Sequence, residues 1–308
     1  MKTLYLDCQM GAAGDMLMAA LLELHPQPEL FLRKLNSLGI PGVTVTAESS
    51  VKCGITGTHI SVKVNAVEEE SVDVHQHVHD HEHSHDHEHS HDHGHSHDHG
   101  HSHDHGHNHD HDHEHSHDHG HSHDHGHSHG NGQLHIHDEV GGNSLQDIEA
   151  LVRGLPVSEN VQNDILAIYG IIAAAESKAH GVPVTQIHFH EVGQLDAVAD
   201  IAGVCLLMEE LAPEQVLASP IHVGSGQVLC QHGILPVPAP ATAEILKGVP
   251  IYGGSVRGEL CTPTGAAILK HFVREFGDMP VTAVAAIGYG MGRKNFEAAN
   301  CVRASLSE

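Results

Sequence analysis

The chain has 308 residues, of which 38 are histidine, 40 acidic and 14 basic, for a formal net charge of -26 with histidine neutral. No basic stripe is available to neutralise phosphates, which excludes nucleic acid and anionic membrane as partners. The length suffices for one large domain or two small ones with real cores, and the six scattered cysteines, without a CxxC pair, describe reduced thiols rather than a disulfide frame.

In chain order, Thr3 to Cys8 reads as a short buried strand, Gly11-Ala12-Ala13-Gly14-Asp15 as a turn, and Met16 to Leu24 as a helix. A second helix is predicted over Pro28 to Leu38, and Val43 to Glu48 and His59 to Val64 alternate like an antiparallel strand pair. Asp7 interrupts the first apolar run, so no signal peptide is expected. No apolar run reaches the ~18 residues of a membrane span. A cytoplasmic location is the expectation.

From His75 to His129 every odd-numbered residue is histidine, and Asp, Glu, Ser, Gly or Asn stand between almost all of them. With Val78 as its only apolar side chain, this stretch cannot offset the entropy of ordering itself, and it reads as a disordered insert. Neutral imidazoles are ligands for Ni, Zn, Cu and Co. His85, His87, His95, His97, His103 and His121 represent the metal-holding positions of the tract.

Structure is expected to resume at Ser144, a good N-cap, followed by a helix over Glu159 to His180 that stops at Gly181-Val182-Pro183. Further helices are predicted over Gln194 to Leu211, Ala241 to Lys247 and Ala266 to Phe276. Strands are predicted over Gln215 to Ala218, near Glu259 and over Val281 to Ile287, with a short tail after that. The fold class is mixed α/β, a compact domain of short sheets flanked by helices. Residues 1–67 form a βαββ part, 68–143 the disordered insert and 144–308 the remainder.

Three stretches can carry chemistry. In His188-Phe189-His190-Glu191, imidazoles at i and i+2 of an extended segment point the same way. Glu191, with Asp196 and Asp200 on one helix face, can complete a metal site; the competing reading is that these residues cap and satisfy backbone. Asp200 stands in the apolar run Val198 to Ala202, where a buried carboxylate needs a partner. In the segment from Asp7 to Asp15, Asp7 at a strand end is the functional candidate, while Asp15 reads as a helix cap as readily as a ligand. The glycine- and hydroxyl-bearing loops at Gly224-Ser225, Thr262-Pro263-Thr264 and Gly288 to Lys294 resemble anion-binding loops, with tight turns as the alternative. Cys230 and His232 form a weaker pair.

Taken in order, LYLDCQMGAAGDMLMAALLEL, the His-rich insert, HGVPVTQIHFHEVGQLDAVADIAG, ASPIHVGSGQVLCQHGILPVPAPAT, CTPTGAA and IGYGMGRKNF resemble the LarC family, the nickel-insertion proteins of nickel-pincer cofactor biosynthesis. The resemblance implies CTP-dependent insertion of Ni(II), with Mg or Mn, into pyridinium-3,5-bisthiocarboxylic acid mononucleotide, forming Ni–S and Ni–C bonds. It implies delivery of the product to apo-enzymes such as lactate racemase. Forming Ni–C releases a ring proton, so a general base is expected, with Asp7, Glu191 or His190 as candidates. His188, His190, Glu191 and Asp196 would hold nickel. Gly224, Ser225, Thr262, Thr264 and Arg293 would meet the substrate's phosphate and thiocarboxylates. LarC proteins continue for roughly another domain, so the chain is expected to be either a truncated product or a half that works with a separate C-terminal polypeptide. The alternative is non-catalytic nickel storage and delivery.

Overall fold

The fold is that of a computed structural model, described for residues 1–68, 72–73, 144–187, 189, 195–230 and 232–307. The histidine tract, and His188, His190 and Glu191, lie outside the described residues. In order, the elements are β1 (Thr3–Asp7), α1 (Gly14–Leu24), α2 (Pro28–Asn36), β2 (Val43–Lys52), β3 (Ile55–Val64), β4 (Val72–Asp73), α3 (Leu145–Gly154), α4 (Glu159–His180) and α5 (Leu195–Leu211). Then come β5 (Gln215–Ala218), β6 (Ile221–His222), β7 (Gly224–Ser225), β8 (Gln227–Cys230), β9 (Gly233–Pro236), α6 (Pro240–Ile245), β10 (Ile251–Tyr252), β11 (Gly258–Glu259), α7 (Pro263–Phe272), β12 (Glu275–Phe276), β13 (Val284–Met291) and β14 (Cys301–Ser307).

The mixed α/β expectation is borne out. Seven strands form the main sheet in the order β12-β5-β1-β14-β13-β3-β2, with smaller sheets beside it. The predicted hairpin is β2–β3, paired antiparallel from Val43↔Val64 to Lys52↔Ile55. Ser144 caps α3 in a capping box with Asp147, and Gly181 closes α4 in the left-handed conformation at φ 68°.

Three boundaries differ from expectation. The Thr262-Pro263-Thr264 turn is the start of α7: Thr262 is its N-cap, Pro263 opens it, and the helix ends at Phe272, so that Phe276 belongs to β12. The Gly288–Met291 loop is strand β13. The predicted tail is β14, which lies between β1 and β13 at the centre of the sheet.

Alternation along β14 explains its place. Val302, Ala304 and Leu306 are buried in the common core with α1 and α5, while Arg303 and Ser305 alternate with them and point to the other face. On β13, Gly288 and Gly290 meet α1 so closely that a Cβ would stand 2.2 Å from Ala20 O and 1.8 Å from Met16 O. This contact seats α1 on the sheet. Gly203 on α5 plays the same part against α1, since its Cβ would meet Met18 Sδ at 2.2 Å. Helices α1 and α5 are thereby pressed together beside the sheet.

Candidate functional site

The approach of α1 and α5 gathers carboxyl groups. Asp15 sits in the first turn of α1, Asp196 in the first turn of α5, and Asp200 one turn further along. Asp200 is held over the start of α1: its Oδ2 lies 2.7 Å from where a Cβ on Gly14 would stand, and it accepts the main-chain N–H of Asp15. Only glycine leaves room there. Asp15 is not the N-cap of α1; that position is Ala13, without a side-chain hydrogen bond. The Asp15 carboxylate instead accepts the N–H of Met16 at 2.8 Å. The positive end of the α1 dipole therefore faces this group of acids.

The electrostatics are those of a crowded, largely desolvated site. Burial pushes Asp15 up to about 6, with Glu68 adding to the rise and Met16 N–H and His59 opposing it. Burial, Asp15 and Asp196 push Asp200 well above the ordinary carboxylate range. Tyr169, fully buried on α4, is driven up by burial and by Asp196 and Asp200. Among the described residues its hydroxyl has no hydrogen-bond partner, and neither has Asp200 Oδ1, although both atoms are buried. Buried polar atoms are rarely left so, and each orphan needs a reason such as a ligand or ion. Strongly shifted, desolvated carboxyls with specific partners mark functional sites.

His59 and Glu68 approach from the β3 side. His59 Nδ1 lies 3.0 Å from Met291 O, and Glu68 accepts from Ser61 Oγ at 2.8 Å. Phe189, flanked by the two candidate histidines, is buried and packs edge-on against Tyr169 at 6.0 Å. Among the described residues no group of three or more His, Cys, Asp or Glu side chains is arranged to hold a metal ion.

Other predicted residues are placed as follows. Asp7 forms an ion pair with Arg303. Gly224 takes φ 85° where a Cβ would meet Gly258 O at 2.0 Å, and the Ser225 hydroxyl donates to Val256 O at 2.9 Å. Thr262 Oγ1 accepts from Gly265 N at 3.2 Å, and Thr264 is buried in the first turn of α7. Arg293 reaches Glu68 at 3.8 Å, and Lys294 pairs with Asp73 at 2.8 Å. Cys230 donates to Gly233 O at 3.3 Å, and the His232 ring lies 4.8 Å from that of His180. The thiols of Cys8, Cys205 and Cys261 are raised by burial, which makes them poor nucleophiles. The structure thus joins Asp15, Asp196 and Asp200; Gly265 after the Thr262 cap packs against Ala12 and Ala13, Gly290 of β13 against Met16, and Gly224 serves a turn. Sequence reasoning missed the pairing of Asp15 with Asp200 and the partnership of Arg303 with Asp7. The signal for the first was an aspartate inside the apolar run of α5.

A protein-family model described as nickel insertion protein matches residues 4–308. Among curated proteins, the pyridinium-3,5-bisthiocarboxylic acid mononucleotide nickel insertion protein of Clostridium kluyveri is 36% identical over 309 residues, covering 100% of this chain and 62% of its own length. Proteins of the same description from Desulfitobacterium hafniense and Geobacillus kaustophilus are 36% and 32% identical, over 59% and 60% of their lengths. The chain spans about three fifths of the length of these relatives. No solved structure gives a significant match.

Proposed function

The chain belongs to the nickel insertion protein family, and from that membership we propose that it takes part in inserting Ni(II) into pyridinium-3,5-bisthiocarboxylic acid mononucleotide. Nickel is the cargo of this reaction. Two thiocarboxylate sulfurs and one ring carbon become its ligands, and the carbon must give up a proton to do so. The observation that carries the reading is the buried carboxyl group at the meeting of α1 and α5. A carboxylate raised to about 6 accepts a proton near neutrality far better than an ordinary one. Asp15, backed by Asp200, is therefore the better base than Asp7, whose carboxylate is committed to Arg303. Asp200 Oδ1 and the Tyr169 hydroxyl, without partners among the described residues, suit a site completed by a cation or its water. His188, His190, Glu191 and Asp196 remain the proposed nickel ligands. Arg293, with Gly224, Ser225, Thr262 and Thr264, remains proposed for the substrate's anionic groups.

CTP with Mg or Mn as co-substrate, a further polypeptide acting in trans, and hand-over to pincer-dependent apo-enzymes such as lactate racemase belong to the same proposal, as does a cytoplasmic setting. The histidine tract, proposed as a metal reservoir, favours nickel storage and delivery as a second role. The test is an insertion assay with purified chain, Ni(II), CTP, Mg and the mononucleotide, read by mass spectrometry. Asp15→Asn is expected to reduce metallated product at least about 100-fold. Unchanged product from that variant refutes the assignment of the base.

A further inference from the structure

A second cluster stands at the carboxyl ends of β1 and β5, parallel neighbours in the sheet, where ligands of α/β sheets usually bind. Asp7 ends β1, and His222 follows β5 on β6, its main-chain N–H donating to Cys8 O at 3.1 Å. The His222 ring is fixed at both nitrogens: Nδ1 lies 3.0 Å from Gln9 O and Nε2 2.8 Å from Gly253 O. Gly254 allows this, since a Cβ there would stand 2.1 Å from Nε2. On this buried plate lies Tyr252, parallel to within 7° at a centroid distance of 4.7 Å, its hydroxyl donating to Gln9 O at 3.4 Å. His222 is 5% exposed and Tyr252 40%.

Arg303 completes the cluster. It is held by Asp7 and by a hydrogen bond with Tyr289, and Gln9 joins it to Tyr252: the Gln9 N–H donates to Asp7 Oδ1 at 3.3 Å and the Gln9 carbonyl accepts from the Tyr252 hydroxyl. The Arg303 side chain is 44% exposed against 12% for Asp7, so the pair presents guanidinium N–H groups outward.

We propose that Tyr252, backed by His222, and Arg303, positioned by Asp7, form a binding shelf for a planar, electron-poor aromatic ring carrying a carboxylate-type group. A phenol face is negative and attracts a cationic ring, while a guanidinium fork matches a carboxylate or thiocarboxylate in its plane. A pyridinium ring with acid substituents has both features. The inference rests on the nickel-insertion reading for the identity of the natural ligand and on the shelf's own chemistry for its class. Arg303 here takes the acid group on the ring, beside the anion contacts proposed for Arg293 and the glycine loops, and Asp7 acts as its positioning residue.

The probe is N-methylpyridinium-3,5-dicarboxylate, with ribose 5-phosphate as the arm that tests the sugar phosphate. The chain contains no Trp and 4 Tyr, so quenching of tyrosine emission reports stacking, and calorimetry supplies affinities. The dicarboxylate should bind and ribose 5-phosphate should not compete. Tyr252→Phe should bind within about twofold of the parent, while Tyr252→Leu and Arg303→Lys should each bind at least about tenfold more weakly, with unchanged circular dichroism and melting. Equal binding by Tyr252→Leu and Arg303→Lys, or binding of ribose 5-phosphate in place of the dicarboxylate, overturns the shelf. Metallated mononucleotide formed at the parental rate and affinity by Tyr252→Leu would also overturn it while leaving nickel insertion intact. Dicarboxylate bound at the shelf without any nickel insertion would sink the functional reading and leave the shelf standing.

Discussion

Asp200 concentrates the conflict between folding and chemistry in a single side chain. It is a carboxyl in an apolar run, pressed over Gly14, with Asp15 and Asp196 as acidic neighbours. Ionising it is unfavourable in the fold, so its folded affinity for a proton exceeds that of the unfolded chain. The folded state then binds more protons than the unfolded one, and stability falls as pH rises through the raised range. For Asp15 that window runs from about 4 to about 6. Asp200→Asn is expected to stabilise the protein at pH 7 by about 1–3 kcal/mol. The gain should fade as pH falls through the raised range toward the ordinary carboxylate value of about 4. Urea titrations at pH 7 and pH 4.5 check this, and a loss of stability at pH 7 would contradict it. This tension was legible in the sequence as Asp200 among Val198, Ala199, Ile201 and Ala202. The identity of its opposite number was not, because Asp15 lies in the first turn of a different helix and nothing local to Gly14 announces Asp200. Arg303, an isolated cation in a strand, gave no sign of Asp7, its partner across the β1–β14 ladder.

Among the elements, α1 is the one that positions the site, and the glycines of β13 position α1. A methyl at Gly290 would stand 1.8 Å from Met16 O, which is backbone and cannot turn aside. Gly290→Ala should therefore cost about 3 kcal/mol or more and loosen the carboxyl group at the head of α1. Chemical denaturation measures the first effect, and a fall in insertion rate beyond the loss of folded protein measures the second. Gly154→Ala, in open space at the end of α3, is the control. Read along the chain, the glycines of Gly288-Tyr289-Gly290 suggest a loop, because their use is a contact with a helix far away in sequence. The capped helices were easier: Ser144 and Gly181 announce the ends of α3 and α4 through chemistry that acts over three or four residues. Thr262 did the same for α7 and was mistaken for a turn, because Pro263 suits either.

Across the whole molecule, residues 3–7 and 301–307 form adjacent central strands, a pairing separated by nearly the full chain. Periodicity identifies elements but not partners at that range, which is why β14 looked like a tail although Val302, Ala304 and Leu306 alternate correctly. The histidine tract lies between β4 and α3 in sequence, and the carboxyl group is built wholly from other residues. Removing residues 74–130 should therefore leave melting behaviour nearly unchanged and raise the nickel concentration needed for half-maximal product. An absolute loss of activity at saturating nickel would contradict that division of roles.

The most direct test is calorimetric titration of Ni(II) into the chain lacking residues 74–130, with and without Asp196→Asn. The account predicts one nickel site retained after the tract is removed, weakened at least about tenfold by the loss of the Asp196 carboxylate. No nickel bound without the tract, or identical binding in the two proteins, would contradict the claim that the meeting of α1 and α5 handles the metal.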